Sequence, residues 1–63
     1  MTVVKAKTIH GPMKPYYSDL DARSVTKALL ENDRILLRNA EGAYVVMNVG
    51  MMTVIAVSEE RED

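Results

Sequence analysis

The sequence predicts an α+β domain of order β-α-β-β-β, with one helix packed on a four-stranded, mostly antiparallel sheet. Three observations support this order: an alternating stretch opens the chain, an apolar stripe with helical spacing follows, and apolar runs separated by turn residues fill residues 34–57. With 63 residues and no cysteine, a single domain without disulfides is expected. We assign that domain to residues 1–57 and expect residues 58–63, which hold four acids and one base, to form a flexible acidic tail.

Residues 2–9 alternate as a first strand, in which Lys5 and Lys7 share one face. Lysines within a strand are typical of a sheet edge, where they discourage uncontrolled pairing. As an alternative, Lys5, Lys7 and Lys14, together with Arg34 and Arg38, would contact nucleic-acid phosphates. The net charge of −1 gives no general nucleic-acid footprint, so this alternative ranks below the structural interpretation.

Residues 10–17 are predicted to lack regular structure, because Gly11, Pro12 and Pro15 interrupt them. His10 lies here without a nucleophile or carboxylate at a recognisable catalytic spacing. We therefore expect no enzyme activity, no cofactor and no metal, and we interpret His10 as a loop residue. Tyr16 and the next residue, Tyr17, are expected to cap the core, with stacking on a base or a partner as the alternative.

Residues 18–32 predict the helix, with Ser18 or Asp21 supplying the N-cap oxygen. Its apolar stripe comprises residues three or four apart, namely Ala22, Val25, Ala28 and Leu29, with Asn32 at its end. This stripe is wide enough to cover one face of the sheet.

Residues 34–57 predict three consecutive strands. Asn39 at the first position and Gly42 at the fourth favour a type I turn that ends in a left-handed residue. Val49 and Gly50 indicate a second reversal, although valine resists the positive φ of the tightest hairpins. These three strands form the predicted meander.

Neither face of the predicted meander is polar, so both faces require cover. One helix covers one face, and a second copy of the chain is expected to cover the other. We therefore predict a homodimerisation or protein-interaction module rather than an enzyme. No apolar run reaches the ~18 residues of a membrane span and no signal peptide is recognisable, so a cytoplasmic location is expected. The predicted interface residues are Leu36, Tyr44, Val46, Met52 and Val54.

Short motifs along nearly the whole chain resemble the C-terminal dimerisation domain of long-form ribosome hibernation-promoting factors. The matching residues are Lys5-x-Lys7, Pro12-Met13, Leu29-Leu30-x-x-Asp33, Arg38-Asn39-Ala40-Glu41 and Val45-Val46. The resemblance implies a β-α-β-β-β unit that dimerises through its sheet and can bring two ribosomes together. In this chain the segment between Pro-Met and the helix is longer, and the ribosome-binding domain of that family is not recognised.

A second resemblance involves His10, Val25-x-x-Ala28-Leu29 and Met52-Thr53-Val54-Ile55, which are similar to small ribosome-dependent mRNA-cleaving toxins. That resemblance implies a nuclease or nucleic-acid-binding protein that uses the basic first strand and His10. In those proteins a helix with basic residues follows the histidine. Here Gly11, Pro12 and Pro15 occupy that place.

Overall fold

Five strands and one α-helix follow one another in the order β-β-α-β-β-β in the computed structural model, which describes residues 1–59 except for the side chain of Val54. A short 3-10 helix, Val49–Met51, separates the last two strands. The elements are β1 (Thr2–Thr8), β2 (Lys14–Ser18), α1 (Ala22–Glu31), β3 (Arg34–Arg38), β4 (Tyr44–Asn48) and β5 (Met52–Glu59). The α+β class and the single helix packed on an antiparallel sheet are confirmed, whereas the predicted strand number and element order are wrong.

Strand β2 is the element missing from the prediction, since residues 14–18 pair with β1 instead of forming a loop. The strand tolerates Pro15 because of where its missing N–H would point. Tyr17 pairs with Arg38 of β3, and no other residue of β2 pairs with β3. Residues two apart direct their backbone groups to the same side. The amide that Pro15 lacks would therefore have faced β3, where no ladder bond exists.

The sheet order β4-β3-β2-β1-β5 is the second correction, because β5 pairs with β1 and not with β4. Residues 34–57 therefore contain three strands, but only β3 and β4 form a hairpin. The reversal after β4 is a 3-10 turn, in which the amide of Met52 donates to the carbonyl of Val49. This turn leads the chain away from the β3–β4 pair and over to β1.

The sheet must curl to make this connection. Four residue steps from Asn48 to Met52 span at most about 14 Å. Five flat strands would hold their outermost members about 19 Å apart. The outer strands β4 and β5 are therefore closer together at this connection than they would be in a flat sheet.

The core lies between this inner face and the helix. Its buried residues come from four elements, and they are Val4, Ala6, Val25, Leu37 and Met47. Half-buried apolar side chains surround them, namely Tyr16, Leu29, Ile35, Met52, Ile55 and Val57. Helix α1 packs against β1, β3 and β5 through the predicted stripe, in which Val25 is fully buried.

Two hydrogen bonds fasten the connection between β2 and the helix. The buried hydroxyl of Thr2 donates to the carbonyl of Leu20 at 2.6 Å, and the Ser18 hydroxyl accepts from the Leu20 amide at 3.1 Å. Ser18 therefore serves the turn and not the helix cap.

The N-cap of α1 is Asp21, whose Oδ1 accepts from the Ser24 amide at 3.0 Å. The carboxylate of Glu59 accepts from the Ala22 amide at 3.1 Å, so two acids meet the positive end of the helix dipole. Because Ser58 and Glu59 belong to β5 and pair with β1, the predicted boundary at residue 57 is wrong. The rest of the predicted acidic tail, residues 60–63, lies outside the described residues.

The cap makes a pH-dependent contribution to stability. Hydrogen bonds from Ser24 hold the pKa of Asp21 below its ordinary value. A carboxylate with a lowered pKa stabilises the fold above its unfolded pKa of about 4, and this stabilisation is lost as the pH falls through the folded pKa. Asparagine caps without titrating. In urea unfolding, wild type should therefore lose stability relative to Asp21→Asn as the pH drops below about 4. A stability difference that stays constant from neutral pH into that range would contradict this role.

No helix in residues 1–59 is long and apolar enough to cross a membrane.

Candidate interaction surface

Three large apolar side chains stand exposed together on the outer face of the β3–β4 hairpin. Leu36 is 59% exposed, Tyr44 is 73% exposed and Val46 is 65% exposed. Leu36 lies directly opposite Val46, and Tyr44 follows one pleat along the same face. We call Leu36, Tyr44 and Val46 the hairpin patch. Its members are three of the five predicted interface residues.

The turn between the strands sets the register of the patch. The side-chain oxygen of Asn39 accepts from the amides of Glu41 and Ala43, at 2.9 and 3.0 Å. Gly42 adopts a φ of 86°, and its amide donates to the Asn39 carbonyl at 3.1 Å. The predicted turn is thus confirmed. It places Ile35, Leu37 and Met47 on the core side and leaves the intervening residues outside.

Arginine and tyrosine side chains border the patch. Arg38 lies opposite Tyr44 on β4 and opposite Tyr17 on β2, and it forms an ion pair with Asp19. Beside it, a groove of about 350 Å³ is lined by Tyr17, Leu36 and Tyr44 and also by helix and core-side residues such as Ala28 and Leu37. The groove exists because β2 and β3 pair at a single position and then diverge. The apolar surface therefore extends from the outermost strand toward the middle of the sheet.

Strand β4 also presents free backbone groups, because it is the outermost strand of the sheet formed by residues 1–59. The amide of Asn39 donates to the Ala43 carbonyl at 2.9 Å, and the amide of Val49 donates to the Asp33 carbonyl at 2.8 Å. Both bonds join odd-numbered residues that lie opposite each other. Odd-numbered residues of β4 therefore bond to β3, and even-numbered ones point away from it. The N–H and C=O groups of Tyr44 and Val46 consequently point away from β3, in the plane of the sheet and at its free edge.

The other two predicted interface residues do not join the hairpin patch. Met52 is half-buried against the core, opposite Thr8 of β1. Its placement on the outer face was wrong because the register shifts by one residue between Lys7 and Thr8, which reverses the alternation at the start of β5. Val54 pairs through its backbone with Lys7, at the opposite edge of the sheet from β4. The structure does not describe its side chain.

The predicted basic residues divide between the two faces. Lys5 and Lys7 are exposed on the outer face of β1, the face that also carries Tyr17 and Arg38. Lys14 pairs with Ala6 and therefore belongs to the inner-face positions, at the exposed end of β2. The structure thus separates Lys14 from the other two lysines. It places Arg38 opposite Tyr17, a pairing that the sequence could not reveal without β2.

His10 is exposed in the loop between β1 and β2, where the amide of Gly11 donates to the Thr8 carbonyl at 3.3 Å. Among residues 1–59 there is no group of three or more His, Cys, Asp or Glu side chains that could hold a metal ion. The geometry around His10 is that of a tight turn.

Comparison of the chain with protein-family models, with curated proteins and with solved structures finds no match.

Proposed function

We propose that this chain is a non-enzymatic homodimerisation module that associates through the hairpin patch. The observation that carries the proposal is the adjacency of Leu36, Tyr44 and Val46, all more than half exposed, on the outermost hairpin of the sheet. Contiguous apolar surface of this kind marks interaction sites, whereas single exposed apolar residues do not. The helix lies on the inner face and leaves this patch open.

The small size of the core supports association. Among the described residues, the buried apolar side chains are Val3, Val4, Ala6, Val25, Leu37 and Met47, of which one is an alanine and three are valines. Domains of this length gain little stability from one core and usually add disulfides, metals or oligomerisation. The chain has no cysteine. Pairing with a second copy would bury further apolar area and stabilise each subunit by mass action.

The resemblance to hibernation factors suggests one setting for such a dimer, the joining of two ribosomes. The longer segment before the helix, noted as a departure from that family, contains β2. The proposal of self-association depends on the hairpin patch and not on this setting. Co-sedimentation of the chain with ribosomes, with and without a fused RNA-binding domain, would test the setting separately.

Size-exclusion chromatography with light scattering tests the proposal. We expect a mass twice that of the 7.0 kDa chain at high micromolar concentration, falling toward the single-chain mass on dilution. A constant single-chain mass throughout this range would overturn the proposal.

A second candidate function, binding of single-stranded nucleic acid, is favoured by the composition of the outer face. Lys5, Lys7 and Arg38 share that face with Tyr17 and Tyr44, which combines cations with aromatic rings on which bases can stack. Against it, Asp19 already pairs with Arg38.

The division of the lysines between faces provides a test with a matched control. If the outer face binds single-stranded RNA, the double variant Lys5→Ala/Lys7→Ala should weaken binding in fluorescence anisotropy and lower the salt dependence of log K by about 1.4. Lys14→Ala, on the inner-face side, should leave both nearly unchanged. Equal effects of Lys14→Ala and of Lys5→Ala/Lys7→Ala on RNA binding would exclude this candidate, as would binding that is independent of salt.

A further inference from the structure

The unpaired side of β4 specifies how a second copy would dock. Tyr44 and Val46 each direct one N–H and one C=O away from β3, at the free edge of the sheet. The hydrogen bonds at Asn39 and Val49 establish this direction. A neighbouring strand can satisfy all of these groups. The same two residues carry exposed side chains on the outer face. Backbone and side-chain contacts are therefore available at one place.

Strand β4 lacks the features that normally protect an outermost strand. Its sequence, Tyr-Val-Val-Met-Asn, contains no charge and no proline, and its register with β3 is regular. Natural sheets block such strands with lysine, proline or a bulge. On the other side of the sheet, β5 has an irregular register at its start, and its last residue, Glu59, is hydrogen-bonded to the helix. Of the two outermost strands, β4 thus carries fewer of these protective features.

We propose that two copies of the chain pair through β4 in antiparallel alignment about a two-fold axis, forming a continuous ten-stranded sheet. This inference rests on the proposed homodimerisation and specifies its geometry. In the alignment, Tyr44 of each copy lies opposite Val46 of the partner copy, so the free N–H and C=O groups of both residues form four hydrogen bonds. Each bond is repeated by symmetry, as a two-fold interface requires.

The side chains of this alignment are self-complementary. On the outer face, Tyr44 of one copy lies beside Val46 of the other, and this aromatic–β-branched pair is favourable across antiparallel strands. Within each copy Leu36 lies opposite Val46. A continuous apolar row therefore runs across the strands from Leu36 to Val46 and on to the tyrosine of the second copy. The Arg38 residues stand at opposite ends of the two rows, about 14 Å or more from each other, which exceeds the Debye length at physiological salt. No like charges meet at the axis.

A second copy fits β4 better than an unrelated peptide does. Any extended peptide could satisfy the backbone groups, but only another β4 hairpin brings a second Leu36, Tyr44 and Val46 to extend the apolar rows. Pairing two uncharged strands also places no formal charge at the junction. The occupant is therefore the chain itself.

Amide hydrogen exchange measured by NMR at low and high chain concentration tests this geometry. In the dimer, exchange of the Tyr44 and Val46 amides should slow by at least about tenfold at high concentration. The Val45 and Met47 amides, which already face β3, serve as internal references and should be slow at both concentrations. If light scattering shows a dimer but the Tyr44 and Val46 amides exchange as fast as in the monomer, the β4 pairing is wrong while homodimerisation stands. If no dimer forms, the proposed function itself fails.

A proline substitution gives an independent test. Val46→Pro removes the N–H that faces away from β3, so the hairpin should fold, and the chain should elute as a folded monomer. Val46→Thr keeps both the N–H and the β-branched shape and should still dimerise. A folded Val46→Pro chain that dimerises like Val46→Thr would overturn the inference. A wild-type mass above that of a dimer in light scattering would also overturn it. Should Val46→Pro not fold, the exchange measurement on wild type decides alone.

Discussion

Val46→Lys is expected to convert the proposed dimer into a folded monomer. In the monomer the side chain is 65% exposed, so the substitution should leave the fold intact. In the proposed dimer the new ammonium group would replace an apolar contact with the second copy's tyrosine, and the two-fold axis would introduce two such charges. We expect the dissociation constant to rise by at least about a hundredfold. Light scattering with far-UV circular dichroism measures both outcomes.

Leu30→Lys is the matched control for this substitution. Leu30 is even more exposed, at 82%, but it lies on the outward side of the helix and away from the hairpin patch. The Leu30→Lys variant should therefore dimerise like wild type. Equal loss of association in both variants would show that net charge, and not the position of the patch, governs association. Retention of the dimer by Val46→Lys would remove the hairpin patch from the interface.

Leu37→Ala is expected to have the largest effect on stability. Leu37 is only 2% exposed and lies at the centre of the core with Val4 and Val25. Truncating a buried leucine to alanine costs about 2 to 5 kcal/mol, because a cavity remains. A domain of this length has a total stability of about 3 to 9 kcal/mol. The variant should therefore be largely unfolded, or unfold at very low urea, when it is monitored by circular dichroism.

Leu36→Ala provides the control, since the two leucines are adjacent in β3 and point to opposite faces. At concentrations too low for dimerisation, its free energy of unfolding should stay within about 0.5 kcal/mol of wild type. Similar losses in both variants would mean that the assignment of inner and outer faces in β3 is wrong.

Local signals in the sequence predicted the helix and the hairpin well. The cap at Asp21 and the stripe around Val25 follow from short-range capping and from helical periodicity, which operate within a few residues. The turn from Asn39 to Gly42 likewise follows from side-chain and backbone preferences at fixed positions. The alternation of β3 and β4 then placed Leu36, Tyr44 and Val46 on one face.

Long-range pairing caused the errors. Pro15 predicted a loop because proline usually excludes a strand, and nothing local indicates that the side of β2 facing β3 is mostly unpaired. The partner of β5 could not be predicted either, since adjacency in sequence favours β4 and only the curl of the whole sheet brings β5 to β1. The misplacement of Met52 has the same origin, because a register shift exists only between paired strands. The exposed apolar residues of the outer face were therefore predicted only at the β3–β4 hairpin.

Isotope-filtered NMR on a mixture of labelled and unlabelled chains detects only contacts between copies, so it tests the pairing through β4 itself. We expect intermolecular contacts between the Val46 methyl groups of one copy and the ring of Tyr44 in the other, with Leu36 nearby and none at Leu30. Intermolecular contacts confined to other surfaces, or their absence at concentrations where the chain is fully associated, would rule out association through the hairpin patch.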